Sequence, residues 1–312
     1  MAGLFSSAPK RVKVVEVGAR DGLQNEPDNV PTHQKVALVD ALSEAAIPQV
    51  EVTSFVSPKW IPQLADAVEV ASKITRRAGT IYSALVPNME GYERFREAGL
   101  DQAALFVSAS ETHNKKNVNK TIAETLEAFR PVAEAAKSDG VPLRAYVSTV
   151  LGCPYEGAVT PQKVRDTALA LLDLGVAELS LGDTIGAGNP ASLERLLDAV
   201  LRDVPVEKIA LHLHDTRGTA LANVVVGLEM GVTTFDAAIG GLGGCPYAPG
   251  ASGNLPTEDL VQLLHGMGVE TDIDYEKLIE AARLARRLVG RPLPSHMLAA
   301  SEGPRGVPPI HG

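Results

Sequence analysis

Two histidines stand two residues apart in the run LHLHDTRG, at His212 and His214. A strand alternates its side chains between faces, so both imidazoles point the same way. Two imidazoles on one face can ligate one metal ion, whereas a lone histidine is more often a satisfied core residue. A guanidinium, a carboxylate and an amide stand ready elsewhere, with Arg20 and Asp21 in VGARDG and Asn254 closing a loop of six glycines in fifteen residues from Gly240. A set of two imidazoles, one carboxylate and one amide oxygen suits a hard or borderline divalent ion such as Mg²⁺ or Mn²⁺. The candidate ligands are therefore Asp21, His212, His214 and Asn254. Four ligands leave open positions on an octahedral ion, where a substrate hydroxyl and carboxylate can chelate.

The elements that must position these groups read as alternating strands and helices. Eight short β-branched runs begin near Val12, Pro48, Thr80, Ala103, Leu143, Val176, Lys208 and Thr233. Amphipathic segments with recognisable starts lie between them, as at Thr160-Pro161 and Asn189-Pro190, and Gly175 reads as a stop. Eight β/α units in about 250 residues predict a closed (β/α)8 TIM barrel of class α/β. A doubly wound open sheet is the competitor, but no GxGxxG follows the first strand. The expected layout is one catalytic domain, with the barrel over about 12–270 and a C-terminal helical extension over about 271–312. The Pro- and Gly-rich tail after Pro292 is expected to be loosely held.

In such a barrel the reacting groups collect at the C-terminal ends of the strands. Those ends supply Glu16, Arg20, Asp21 and Gln24, then Glu51 and Ser54, Arg144 and Tyr146, Asp183 and Thr184, His212 and His214, and finally the glycine-rich loop from Gly240 to Asn254 after the eighth run. Each has a plainer reading. A strand-end aspartate such as Asp183 often just forms a turn, the glycines could serve only as a flexible connection, and a buried thiol is by default a small hydrophobe. Convergence of six strand ends on one face favours chemistry, because gathering that many charges is costly unless they pair or bind a metal.

Composition narrows the partners. A net charge of −9 over 312 residues argues against nucleic acid or an anionic membrane as the main partner. The two cysteines, Cys153 and Cys245, make a poor disulfide framework and suit a reducing cytoplasm. No apolar run approaches the roughly 20 residues that span a bilayer. The N-terminus is too short and too weakly apolar for a signal peptide. A cytoplasmic location is expected.

Taken in order, VEVGARDGLQNE, EVTSFVSPKWIPQ, LGCPYEG, LSLGDTIGAG, LHLHDTRG and GGLGGCPYAPGASGNLPTEDL resemble 3-hydroxy-3-methylglutaryl-CoA lyases, from about Lys13 to Asp272. The Arg-Asp pair and the His-x-His resemble the wider metal-dependent lyase and synthase superfamily, and the cysteine-bearing glycine loop points to the lyases. The resemblance implies a TIM barrel. It implies cleavage of 3-hydroxy-3-methylglutaryl-CoA to acetyl-CoA and acetoacetate, a step of leucine breakdown and ketone-body formation. It implies a divalent cation on Asp21, His212, His214 and Asn254, a catalytic cysteine at Cys245 and a substrate-binding arginine at Arg20. Asp21 or His212 would take the hydroxyl proton. Glu51 and Asp183 would orient Arg20 and the ligands, while Gln24, Ser54, Arg144, Tyr146 and Thr184 would contact the substrate. Lys115 and Lys116 could meet CoA phosphates or simply form a solvated charge run. A homodimer is the expected assembly. The rival readings are a lyase for a longer or branched 3-hydroxyglutaryl-CoA, a Claisen-type synthase, a metal hydrolase and a noncatalytic binding barrel.

Overall fold

The computed structural model describes residues 8–244 and 253–303. Eight parallel strands close into a barrel in chain order, with β8 pairing back onto β1. They are β1 (Lys13–Glu16), β2 (Gln49–Ser54), β3 (Ile81–Leu85), β4 (Gln102–Ser108), β5 (Leu143–Ser148), β6 (Glu178–Asp183), β7 (Ile209–Leu213) and β8 (Thr234–Ala237). The helices are α1 (Thr32–Glu44), α2 (Ala67–Lys73), α3 (Met89–Ala98), α4 (Glu111–Val118), α5 (Ile122–Asp139) and α6 (Pro161–Asp173). They continue with α7 (Pro190–Val200), α8 (Ala220–Glu229), α9 (Thr257–Gly266), α10 (Tyr275–Val289) and α11 (His296–Ala300).

Local sequence explains the starts and stops. Thr160 caps α6 by accepting from Lys163 N, with Pro161 in the first turn. Asn189 and Ser192 form a capping box at α7. Gly175, with φ +90, takes the left-handed turn after α6 that an L side chain resists. Asp274 caps α10.

The apolar core lies outside the barrel, between the strands and the helical ring, where Val14, Val50, Leu105, Leu179 and Leu211 meet Leu38, Val132, Leu171 and Leu196. Inside, the barrel is polar. Side chains from non-adjacent strands meet across the axis, as when Arg144 of β5 reaches Asp236 of β8 and Gln49 of β2 donates to Gln102 of β4. Barrels usually fill this volume with Val, Ile and Leu. Here, among the described residues, a small apolar patch of Leu85, Ala104 and Tyr146, flanked by Val56 and Phe106, stands beside those polar groups.

The tail corrects one expectation. Within the described residues, the chain after Pro292 is firmly attached. Asp259, at the start of α9, accepts from Ser295 Oγ, His296 N and Met297 N. Leu298 is buried in the main core, and Arg291 pairs with the buried Glu26. A compositional bias to Pro and Gly removes backbone freedom or adds it, but a buried acid offering its lone pairs to three donors outweighs either.

Candidate active site

The turn after β1 is a single π-helical turn, Gly18–Gly22, with Gly18, Asp21 and Gly22 all tied to Val17 or Glu16. Such turns often occur at functional sites. This one projects Arg20 inward and sets Asp21 beside it. Arg20 donates through Nε to Glu51 Oε2 at 2.6 Å and through Nη1 to Asp21 Oδ1 at 2.7 Å. Its guanidinium also lies 5.1 Å from the ring centroid of Tyr146, whose hydroxyl donates to the same Glu51 oxygen at 3.0 Å. Burial alone would lower the Arg20 pKa; Glu51 and Asp21 reverse this and hold the cation charged. Burial drives Glu51 upward against the pull of Arg20.

Two strands round the barrel, with only β8 between, His212 lies in β7 and His214 stands just past its end. Their Nε2 atoms face each other at 3.3 Å. His212 Nδ1 lies 3.2 Å from Asp236 Oδ2. A carboxylate there accepts a hydrogen bond from Nδ1–H, which leaves the Nε2 lone pair facing inward. Burial pushes His214 down to about 4, with His212 adding to the effect. It is therefore neutral and ligand-competent at neutral pH. Burial would raise Asp21, but Arg20, His212, His214 and the Asn254 amide together hold it below the usual carboxylate range.

Asn254 joins this cluster by backbone pairing. It forms an isolated antiparallel bridge with His214, while Leu255 N donates to Leu213 O and Asp215 N to Gly253 O. Its Nδ2 donates to Asp21 Oδ2 at 2.8 Å and Leu242 O at 3.0 Å. Its buried Oδ1 has no hydrogen-bond partner among the described residues. Gly243, with φ +106, lies against that amide, and a Cβ there would reach Asn254 Nδ2 at 2.6 Å.

Ligand atoms of Asp21, His212 and His214 all lie within 4.8 Å of one another. An orphaned amide oxygen beside one carboxylate and two imidazoles fits a divalent cation with mixed N and O ligands. Other buried polar atoms without partners line the same strand ends: Gln24 Oε1, Glu51 Oε1, Thr53 Oγ1 and Ser148 Oγ. Buried polar atoms are rarely left so in a resting fold unless something else satisfies them.

The remaining residues of the expected set make other contacts within the protein. Arg144 lies against the Tyr146 ring, 4.9 Å from its centroid. It lies one layer deeper in the barrel, where its Nη atoms bind Asp236 at 3.1 and 2.5 Å and its Nε binds Glu178 at 2.6 Å. Asp183 does not touch the imidazoles; its oxygens accept from Ala187 N and Gly188 N and hold the turn after β6. Ser54 Oγ accepts from Val56 N in the turn after β2. Thr184 Oγ1 accepts from Thr149 N, whose residue sits at φ +62 after β5, a strained setting for a β-branched side chain. Cys153 is buried, with Sγ accepting from Tyr155 N and Glu156 N. Lys116, in the last turn of α4, lies 4.6 Å from the ring centroid of Tyr155. Cys245 lies outside the described residues.

Sequence reasoning missed Asp236. The signal was present, because TTFDAAIGG is a strand in which Asp236 must face opposite to Phe235 and Ala237. An acid on the inward face of a strand beside a ligating histidine is the mark of a supporting carboxylate.

The profile of the HMGL-like family matches residues 11–285. The hydroxymethylglutaryl-CoA lyase of Bacillus subtilis (strain 168) is 52% identical over 290 residues, covering 93% of this chain and 97% of the relative. The mitochondrial hydroxymethylglutaryl-CoA lyase of Bos taurus is 51% identical over 283 residues, 91% of this chain and 87% of the relative. In fold, the crystal structure of the Bacillus subtilis HMG-CoA lyase aligns with a TM-score of 0.92 at 51% identity, covering 94% of this chain and 98% of that one. An HMG-CoA lyase from Acinetobacter baumannii, solved with coenzyme A and 3-methylmalate, aligns with a TM-score of 0.91 at 41% identity, covering 96% and 98%.

Proposed function

The chain belongs to the HMGL-like family, and from that premise we propose that it is a hydroxymethylglutaryl-CoA lyase. The reaction cleaves 3-hydroxy-3-methylglutaryl-CoA to acetyl-CoA and acetoacetate, a carbon–carbon lyase step. The observation that carries the reading is the convergence of Asp21, His212, His214 and the unpartnered Asn254 Oδ1 beside the buried Arg20. Asp21, His212, His214 and Asn254 would hold a divalent cation such as Mg²⁺ or Mn²⁺, which would supply Lewis acidity to the substrate's tertiary hydroxyl.

The chain's own groups divide the remaining work. Asp21 takes the hydroxyl proton: bonded to Arg20 and Asn254 it is a weak base, but it stands beside a hydroxyl that the cation would acidify. His212 has no lone pair to spare for that proton, because Nδ1 faces Asp236 and Nε2 would be given to the cation, where the Asp236 contact strengthens it as a ligand. Loss of that proton drives the bond between carbons two and three to break, and its electron pair moves onto the thioester carbonyl as an enolate. Arg20, fixed by Glu51 and stacked on Tyr146, places a permanent positive charge against the enolate oxygen. Cys245 delivers the proton that turns the nascent carbon into the methyl group of acetyl-CoA, and a thiol with a pKa near 8.5 is a competent donor. Thr53, Ser148 and Gln24 offer unpaired polar atoms to the acyl group. The apolar patch of Leu85, Ala104 and Tyr146 offers a wall for its methyl branch. Lys115 and Lys116, on the exposed end of α4, suit the CoA phosphates.

Purified protein incubated with Mg²⁺ and 3-hydroxy-3-methylglutaryl-CoA is expected to release acetoacetate. If none appears while the protein is folded and cation-loaded, the assignment fails. A branched analogue assayed in parallel reads out the acyl pocket, and faster turnover of the analogue would favour the longer-chain lyase instead. We further propose a homodimeric assembly and a cytoplasmic location. Among the described residues no helix is long and apolar enough to cross a membrane. Sedimentation at micromolar concentration tests the dimer.

A further inference from the structure

Beneath the candidate cation site, four charged side chains form one continuous chain through the barrel interior. Lys13 Nζ on β1 binds Glu178 Oε2 on β6 at 2.6 Å, and Glu178 Oε1 accepts from Arg144 Nε on β5 at 2.6 Å. Arg144 then grips Asp236 on β8 through both Nη atoms, and Asp236 meets His212. Ser180 Oγ donates to the same Asp236 oxygen at 2.7 Å. The signs alternate from Lys13 to Asp236, so the four charges sum to zero. Stability does not explain such a chain, because buried ion pairs are often neutral or inferior to aliphatic residues of the same volume. What it has, and an aliphatic filling lacks, is an end on His212.

We propose that this ion chain sets the strength of the cation site, with Lys13 and Glu178 acting as positioning residues for His212 through Arg144 and Asp236. The inference rests on the cation reading given above. An ionised Asp236 accepting from His212 Nδ1 makes Nε2 a stronger ligand. Arg144 draws the same carboxylate away with two bonds. Glu178 competes for that guanidinium, and Lys13 competes for Glu178. Each removal of a charge therefore acts on the site with a sign opposite to its neighbour's.

Without the Glu178 charge the chain is left one unit positive, Arg144 turns wholly to Asp236, and a cation binds less well. Without the Lys13 charge the chain is left one unit negative, and a cation binds better. Glu178 stands four residues before Gly182, the strand partner of His212, so the separation is about 13 Å at a rise of about 3.3 Å per residue. A unit charge at that distance, with an effective dielectric of about 20, changes affinity by somewhat less than about tenfold. The Lys13 effect is smaller, because its side chain is 32% exposed and solvent screens it.

Titration of the full-length protein with Mn²⁺ alone, followed by electron paramagnetic resonance or calorimetry, tests this. Glu178→Gln is expected to raise Kd by about fivefold. Lys13→Met is expected to lower it by about twofold, and the double variant is expected to return close to wild type. Glu178→Asp, which keeps the charge, is expected to bind as wild type does. If both single variants shift Kd in the same direction, as a loosened barrel would, or if neither shifts it, the proposal fails. A variant that does not fold, judged by thermal unfolding, leaves Lys13→Met and Glu178→Asp to decide it. If the wild type itself fails to bind Mn²⁺, the cation reading is overturned instead.

Discussion

At the residue scale, the proposed mechanism gives Arg20 and His214 separable roles. In that mechanism Arg20 faces charge that develops only as the bond breaks, so Arg20→Gln is expected to lower kcat by at least about a hundredfold while KM moves little. A change confined to KM in steady-state kinetics would count against it. His214→Ala removes a ligand atom 3.3 Å from His212, and Mn²⁺ affinity is expected to fall by about tenfold or more. Cys245→Ala is expected to lower turnover by about 10²–10⁴ and leave Mn²⁺ affinity unchanged. The His-x-His, Arg20 and Asp21 were legible in the sequence because period-2 alternation and turn residues fix which face a side chain takes. Alternation gives the face but not the depth along the barrel axis. That is why Arg144, read as a pocket residue, lies a layer below, bound to Asp236 and Glu178. Alternation carries the inward face of Asp236 as well, but not its pairing with Arg144, ninety-two residues away.

At the scale of elements, Glu16 joins three of them. Its oxygens accept from Gly18 N in the turn after β1, Ile239 N after β8, and Thr257 Oγ1 at the start of α9. Burial, opposed by those hydrogen bonds, pushes its pKa up to about 7. The unfolded chain releases this proton near the ordinary glutamate value and the folded chain only near 7. The stability it contributes is thus complete at low pH and is lost as pH rises through 7. Glu16→Gln mimics the protonated side chain, so its Tm relative to wild type is expected to rise between pH 5 and pH 8. A pH-independent difference would argue against the shift. Helix starts at Thr160 and Asn189 and the stop at Gly175 were readable because caps are local chemistry. The π-helical turn that aims Arg20 was not, because it depends on Glu16 and Val17 accepting the turn's amides within a closed barrel.

At the scale of the whole molecule, the C-terminal segment secures both halves of the site. Arg291 binds Glu26, just beyond the Asp21 turn, and Leu293 packs where a Cβ on Gly240 would stand. Deleting residues 291–312 is expected to lower Tm by several degrees and to cost activity more than a substitution on the exposed helical face does. Thermal unfolding and acetoacetate release measure the two effects. Eight β/α units foretold the closed barrel, since regular repetition leaves few other closures. The firm hold on the tail was hidden, because its anchor Asp259 belongs to another element.

The backbone bridge between His214 and Asn254 has a consequence for how closely these two side chains can be spaced. Residues far apart in the chain are aligned by main-chain pairing, with Leu255 N on Leu213 O and Asp215 N on Gly253 O. The distance between imidazole and amide is thereby set by peptide geometry as well as by rotamers, so neighbouring side chains can be exchanged while the spacing persists as long as those amides keep their partners.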